Sequence, residues 1–352
     1  MTSSQTLPKP WKPLPMLRKE LTTALELEAG GILPSARVVY HTSQDSWDGK
    51  RPVIWICHAL TANSDPEDWW PEMVGPGKAI DTEKNFVACV NMLGSAYGSE
   101  GPARVNPETG KLWLLDFPKV TVRDMIAASI VVRKTLGITA IDMLIGSSIG
   151  GFQAVEWAIT EPEIFRRCFF IATAPRISPY LSASMEAQRM ALEADQTFRE
   201  AKDLSGGAAG VKCARAQALI SYRCFEGYGI TQFEADPDTL FAGRAASYER
   251  YQGEKLVRRN FDAYSYYTLC NAMDSHNVGR GRGGVEAALS RIKARTTVVS
   301  IDTDSIFPPQ ESAVWARWIP GADYMEISSR FGHDGFLLET ARLTAILMKQ
   351  SR

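Results

Sequence analysis

The chain has 352 residues, 45% apolar and 22% charged, with 39 basic against 40 acidic side chains and a net charge of −1. That composition excludes wholesale disorder and supplies enough chain to bury a large core without covalent staples. Balanced charge argues against a dedicated nucleic-acid binder, and no apolar run nears the ~18 residues that a membrane span needs.

Residues 1–20 are proline-rich and polar, have no apolar signal core, and read as a mobile arm. "LELEAGGILPSARVVYHTS" holds two β-rich runs around a Gly-Gly/Pro break, an antiparallel pair. Short, continuously apolar runs follow at 52–60, 85–93, 140–148, 167–174 and 296–302, with a last strand at 322–328. Runs apolar on both faces suit central strands of a parallel sheet covered on both sides. Helical patterns alternate with them. "TVRDMIAASIVVRKTLG" starts at a threonine cap and stops at Gly137, "GGFQAVEWAIT" follows a strand directly, and "GFLLETARLTAILMKQ" closes the chain. The alternation predicts an α/β fold with a mostly parallel sheet. The rhythm breaks over 176–290, which is polar and helical in pattern. The expected organisation is a core of residues 21–175 and 291–352 with a helical lid inserted at 176–290.

The six cysteines, at 57, 89, 168, 213, 224 and 270, show no CxxC spacing and no zinc pattern. They read as reduced thiols of a cytoplasmic protein. Scattered carboxylates show no metal-ligand grouping.

"LIGSSIGGFQAVEWA" carries the chemistry. It contains G-x-S-x-G as Gly146-Ser147-Ser148-Ile149-Gly150, after a buried strand and before a helix. Glycines at −2 and +2 single out Ser148 as nucleophile, because the same positions around Ser147 are Ile145 and Ile149. The base must follow the serine in this arrangement, which leaves His276 and His333. His333 lies in a glycine-flanked loop between the last strand and the last helix, where the base belongs. His276 ends the insertion and reads as structural or substrate-proximal. Asp302 and Asp304 both stand at the end of the 296–302 strand. Asp304 is favoured because its loop lets it turn toward His333. The oxyanion donors are expected to be the backbone N–H groups of Ile149 and Leu60. His58 is given a loop-shaping role. Ser148 and Asp304 are separated by far more than the ~30 residues of one strand–helix–strand unit. The surplus is the lid, which would exclude water from an acyl-enzyme.

In order, "CHALTANSDPEDWW", "GPGKAIDTEKNFVACVNMLGSAYGS", "GPARVNPETGK", "DFPKVTVRDMI", "GSSIGGFQAVEWA" and "GHDGFLLE" resemble the homoserine O-acetyltransferase family of methionine biosynthesis, over about residues 20–345. The resemblance implies an α/β-hydrolase fold and a homodimer formed through the lid. It implies ping-pong transfer from acetyl-CoA, a co-substrate and not a resident cofactor, to L-homoserine through an acyl-Ser148 intermediate. It also implies that Arg223, in the Tyr-Arg lid motif, clamps the substrate carboxylate and that Asp334 meets its ammonium. The sequence departs from the family at Ser147 and Ile149 around the nucleophile, and at Cys224, where serine is usual.

Weaker signals take plainer readings. "GRGRGG" at 279–284 follows no strand, so a dinucleotide site is not expected. It reads as a loop, with Arg280 or Arg282 on CoA phosphates as the sharper alternative. "GPGK" lacks the upstream glycine of a P-loop. Trp69 and Trp70 read as packing under a loop. The competing functions are a succinyl donor or serine acceptor with the same machinery, a serine hydrolase of the same fold, and a non-enzymatic relative used for binding.

Overall fold

The structure is a computed structural model and describes residues 16–241 and 243–350. Of the arm expected over 1–20, residues 1–15 lie outside the described residues. From Leu17 the chain is already β1 (Leu17–Glu26), which pairs antiparallel with β2 (Ile32–Thr42) across the Gly30-Gly31 turn. β3 (Val53–Cys57), β4 (Phe86–Val90), β5 (Met143–Ser147), β6 (Arg167–Ile171), β7 (Arg295–Ile301) and β8 (Asp323–Ile327) complete one eight-stranded sheet in the order β1-β2-β4-β3-β5-β6-β7-β8. β2 meets β4 antiparallel, and every later pairing is parallel.

β3, β4 and β5 are buried at every position. Successive side chains point to opposite faces, so a continuous apolar run feeds two cores at once. Ile54, Ile56, Val87, Cys89, Ile145 and Phe169 face one core, which the closing helix Thr340–Gln350 seals with Leu343, Ile346 and Leu347. Trp55, Ala88, Leu144, Cys168, Phe170 and Val298 face the other. There Trp55 meets Trp157 edge-on at 5.0 Å. Burying each large side chain of this kind contributes about 1.5–3 kcal/mol.

Local signals place the helices. Thr121 and Asp124 form a reciprocal capping box at the start of Val122–Thr135, and Gly137, at φ 71°, ends it. The closing segment, expected as one helix, is two: Gly335–Leu338 and Thr340–Gln350, parted at Glu339.

Between β6 and β7 the described residues hold seven helices and no strand. An antiparallel bridge between Arg176 and Asn277 ties the two ends of this stretch together. Helix Ala208–Tyr222 sits at its centre. It packs against Pro179–Glu193, Arg244–Arg258 and Ala263–Asp274, and against the short turn Gly332–Asp334. No described helix is long and apolar enough to cross a membrane.

Candidate active site

β5 ends at Ser147 and helix Ile149–Thr160 begins two residues later, which leaves Ser148 alone in the turn at φ 57° and ψ −130°. A side-chain-bearing residue there costs roughly 1–3 kcal/mol and persists only where its surroundings hold it. The Ser148 N–H donates to the Ala172 carbonyl (3.1 Å), and the Ser148 carbonyl accepts from Thr173 Oγ1 (2.8 Å). The flanking glycines are sterically required. A Cβ on Gly146 would lie 2.2 Å from the Gly150 oxygen, and one on Gly150 would lie 2.1 Å from the Cys57 oxygen. The helix start is therefore pressed onto β3 and β5, and the Ser148 hydroxyl is lifted off the end of the sheet.

His333 meets that hydroxyl. Its Nε2 accepts from Ser148 Oγ at 2.9 Å, and its Nδ1–H donates to Asp304 Oδ2 at 2.7 Å. The other carboxylate oxygen of Asp304 accepts from the N–H groups of Ile306 (2.8 Å) and Phe307 (3.1 Å), so the acid is fixed from behind. Asp302 does other work: its carboxylate accepts from the Ser329 N–H at 2.9 Å and pins β8's exit to β7. All three members of the Ser148–His333–Asp304 chain are buried. Burial disfavours the imidazolium of His333. The charge and hydrogen bond of Asp304, helped by Asp334, outweigh it and hold His333 above the usual histidine range.

Leu60 borders the same cavity as Ser148. The main-chain N–H groups of Leu60 and Ile149 donate to no acceptor among the described residues. His58 shapes the Leu60 loop: Nδ1 donates to the Ala59 carbonyl (2.9 Å) and Nε2 accepts from the Met92 N–H (3.1 Å). Burial pushes its pKa down to about 4, so it stays neutral in this role. His276 is structural. It stacks on Phe152 at 4.0 Å, donates to the Ala174 carbonyl, and is pushed down to about 3 by burial.

Arg223 caps the end of helix Ala208–Tyr222 and pairs with Asp334, Nε to Oδ2, at 2.9 Å. Gly332 makes room for this approach. At φ 59°, a Cβ on it would lie 2.8 Å from the Tyr222 oxygen. Asp334 lines the cavity directly, and Arg223 stands behind it. Cys224 does the capping work of the usual serine, its Sγ accepting from the Gly227 N–H at 3.4 Å and donating to the Arg330 carbonyl.

The cavity has a volume of about 320 Å³, with Ser148, His333 and Asp334 on one side and Trp69, Tyr222 and Leu256 among its apolar walls. Trp70 is buried and stacked on Trp69 at 5.4 Å, and Trp69, whose Nε1–H donates to the Asn63 carbonyl at 3.0 Å, packs against that loop as expected while also lining the cavity. One alternative falls here. Arg280 and Arg282 do not reach the cavity. Arg280 is held by Glu28 at 2.8 Å and Arg282 by Glu156 at 2.9 Å, so the "GRGRGG" loop braces the core. Sequence reasoning missed Arg215, Tyr222, Lys255 and Arg259 as cavity residues. The only available signal was the stripe Gln252, Lys255, Leu256 and Arg259, whose i, i+3, i+4, i+7 spacing puts all four on one helix face.

Residues 52–340 match the α/β hydrolase fold family. A homoserine O-acetyltransferase from Chlorobaculum tepidum is 40% identical over 339 residues, which is 95% of this chain and 94% of that protein. The crystal structure of a homoserine O-acetyltransferase from Bacillus anthracis superposes with a TM-score of 0.85 at 22% identity, covering 96% of this chain and 97% of that one. An acetylester hydrolase from Corynebacterium glutamicum superposes with a TM-score of 0.83, also at 22% identity, covering 95% of both chains. At that identity the two superpositions speak for the fold alone.

Proposed function

The chain belongs to the homoserine O-acetyltransferase family of α/β-hydrolase-fold proteins, and from that membership and its site we propose that it transfers the acetyl group of acetyl-CoA to the side-chain hydroxyl of L-homoserine. The observation that carries the proposal is a cavity where two devices meet: the buried relay Ser148–His333–Asp304, whose serine and histidine line it, and Asp334 in the same wall, backed by its ion pair with Arg223. The relay supports acyl-enzyme chemistry. The pair matches the two charges of a zwitterionic amino acid, with Arg223 taking the carboxylate and Asp334 the ammonium.

In this reading Ser148 Oγ attacks the thioester carbonyl while its proton passes to His333 Nε2. The N–H groups of Leu60 and Ile149 take the oxyanion, and collapse expels the CoA thiolate, which accepts the proton from His333. His333, neutral again, removes the proton of the homoserine hydroxyl as that oxygen attacks the acyl carbon. The second tetrahedral intermediate collapses to O-acetylhomoserine, and Ser148 recovers its proton. Asp304 holds the productive tautomer and stabilises the imidazolium of each step. Helices 176–290 act as the lid that keeps water from the acyl-enzyme.

The same reading includes a homodimer through the lid. Phe225, Leu240 and Phe241 are 97%, 83% and 87% exposed, a concentration of bare apolar side chains that a second copy would cover. A cytoplasmic setting is supported by the six unpaired cysteines.

The test is thiol release from acetyl-CoA and from succinyl-CoA, each with L-homoserine, L-serine or water, with wild type and Ser148→Ala. Turnover of acetyl-CoA that requires both homoserine and Ser148 is expected. Turnover only with succinyl-CoA or serine moves the specificity, and release independent of any amino acid makes the protein a hydrolase.

A further inference from the structure

Behind the catalytic relay lies a second cavity of about 730 Å³, more than twice the volume of the one at Ser148, and the two share no lining residue. It sits past the carboxyl ends of β6 and β7, between residues 173–180, residues 305–308 and helix Pro309–Ala316. No step of the acyl transfer uses it. Yet three residues of its wall hold the relay from the other side. Ile306 and Phe307 supply the two N–H donors on Asp304 Oδ1, at 2.8 and 3.1 Å. The Phe307 ring lies 5.3 Å from the His333 ring. Thr173 donates to the Ser148 carbonyl at 2.8 Å. One concavity therefore touches the supports of Ser148, His333 and Asp304 alike.

The wall is aromatic and acidic. Tyr180, Phe307, Trp315 and Trp318 supply its rings, and its charged groups are Glu286 and Glu311 against Arg176. Both carboxylates are exposed, and neither has a cationic partner among the described residues. Aromatic faces carry negative potential and attract cations, and a carboxylate nearby adds a full charge of the same sign. A cation on an apolar body meets both attractions. An anion on the same body meets two carboxylates, with Arg176 alone in its favour. The volume and the mixture of rings with a few polar groups are those of a small-molecule site.

We propose that this cavity binds an organic cation with an apolar body, of which a protonated arylalkylamine is the simplest form, and that its occupant lowers turnover at Ser148 through Ile306 and Phe307. The bonds from these two residues to Asp304, and from His333 to Asp304, already have near-ideal lengths, so a shift of the loop under a ligand weakens them. The effect falls on kcat and spares both KM values, because the Ser148 cavity contains none of these residues. Binding is independent of the acyltransferase reading; the turnover assay rests on it.

The probe is tryptamine, with indole-3-acetate as the anion on the same ring. Calorimetry is expected to show tryptamine binding about tenfold more tightly than indole-3-acetate. Glu286→Gln combined with Glu311→Gln should weaken tryptamine about tenfold and leave basal thiol release unchanged. Val314→Trp, at an exposed position of helix Pro309–Ala316, should block the cavity and abolish binding. Saturating tryptamine should lower kcat about fivefold at unchanged KM for homoserine and acetyl-CoA. No binding, or no preference over indole-3-acetate, overturns the site. Affinity unaltered in both variants overturns it too, as does displacement of tryptamine by L-homoserine, which would put the amine at Asp334. Binding as expected with kcat unaltered overturns the link to the relay. Wild type that releases no thiol with homoserine would instead sink the acyltransferase reading, and calorimetry would still decide the site.

Discussion

Replacing Asp304 with asparagine separates the two candidate acids by a mechanism visible in the hydrogen bonds. One carboxylate oxygen of Asp304 already accepts from two N–H groups, those of Ile306 and Phe307. An asparagine must keep its oxygen there, because its NH2 would face two donors. Its NH2 then points at His333 Nδ1, which has to become an acceptor. The imidazole proton moves to Nε2, facing Ser148 Oγ, and the serine loses its base. The buried imidazolium also loses its counter-charge. Together these put the expected loss of kcat/KM at about 10³–10⁴-fold, or roughly 4–5.5 kcal/mol of barrier. Asp302→Asn is the control. Its oxygen can still accept from the Ser329 N–H, so turnover is expected to stay within about threefold of wild type. The assay is initial-rate thiol release with homoserine, with thermal melting to show that both variants are folded. Asp304→Asn activity within tenfold of wild type, or an equal loss in Asp302→Asn, would refute the reasoning.

His333 must be neutral to accept the serine proton, and its neighbours hold it above the usual histidine range. Accordingly kcat/KM should rise with pH through an apparent pKa above ~6.5, and a profile already flat below that value contradicts the assignment. Gly150→Ala forces a Cβ to 2.1 Å from the Cys57 oxygen, a backbone atom of a central strand. It should cost about 3 kcal/mol or more and lower the melting temperature by several degrees; unchanged melting would mean the elbow has slack that its geometry denies. Phe225→Glu combined with Phe241→Glu should convert a dimer into a monomer by light scattering, and a monomeric wild type would remove the lid-mediated dimer. Arg223→Lys keeps the charge but loses the fork, so the homoserine KM should rise about tenfold with little change in that for acetyl-CoA; an unaltered homoserine KM would take Arg223 out of acceptor binding.

How much of this was legible follows from the range over which each signal acts. The strands were readable because a sequence such as Val53–Cys57 is apolar at every position, and only burial on both faces tolerates that. The Ser148 turn was readable because Gly146 and Gly150 are demanded by contacts within one strand–turn–helix unit. Choosing between Asp302 and Asp304 was harder. Both end the same strand, and what separates them is one turn of backbone after it, which points one carboxylate at Ser329 and the other at His333. The break at Glu339 carried no proline or glycine to announce it.

The cavity's cations were the least visible, for a physical reason. On an amphipathic helix, Lys255 and Arg259 have the composition and spacing of a solvated face, and for most helices that is the right reading. What turns such a face into a cavity wall is the tertiary packing of Arg244–Arg258 beside Ala208–Tyr222, whose own end rests on the His333 turn. Tyr222 shows the coupling: its ring lies 5.7 Å from that of His333 and beneath the Arg215 guanidinium. A single aromatic residue therefore connects the reacting centre to the charged rim. Charge on the lid and nucleophile on the sheet come from segments far apart in the chain, so neither local pattern nor spacing could have brought them together.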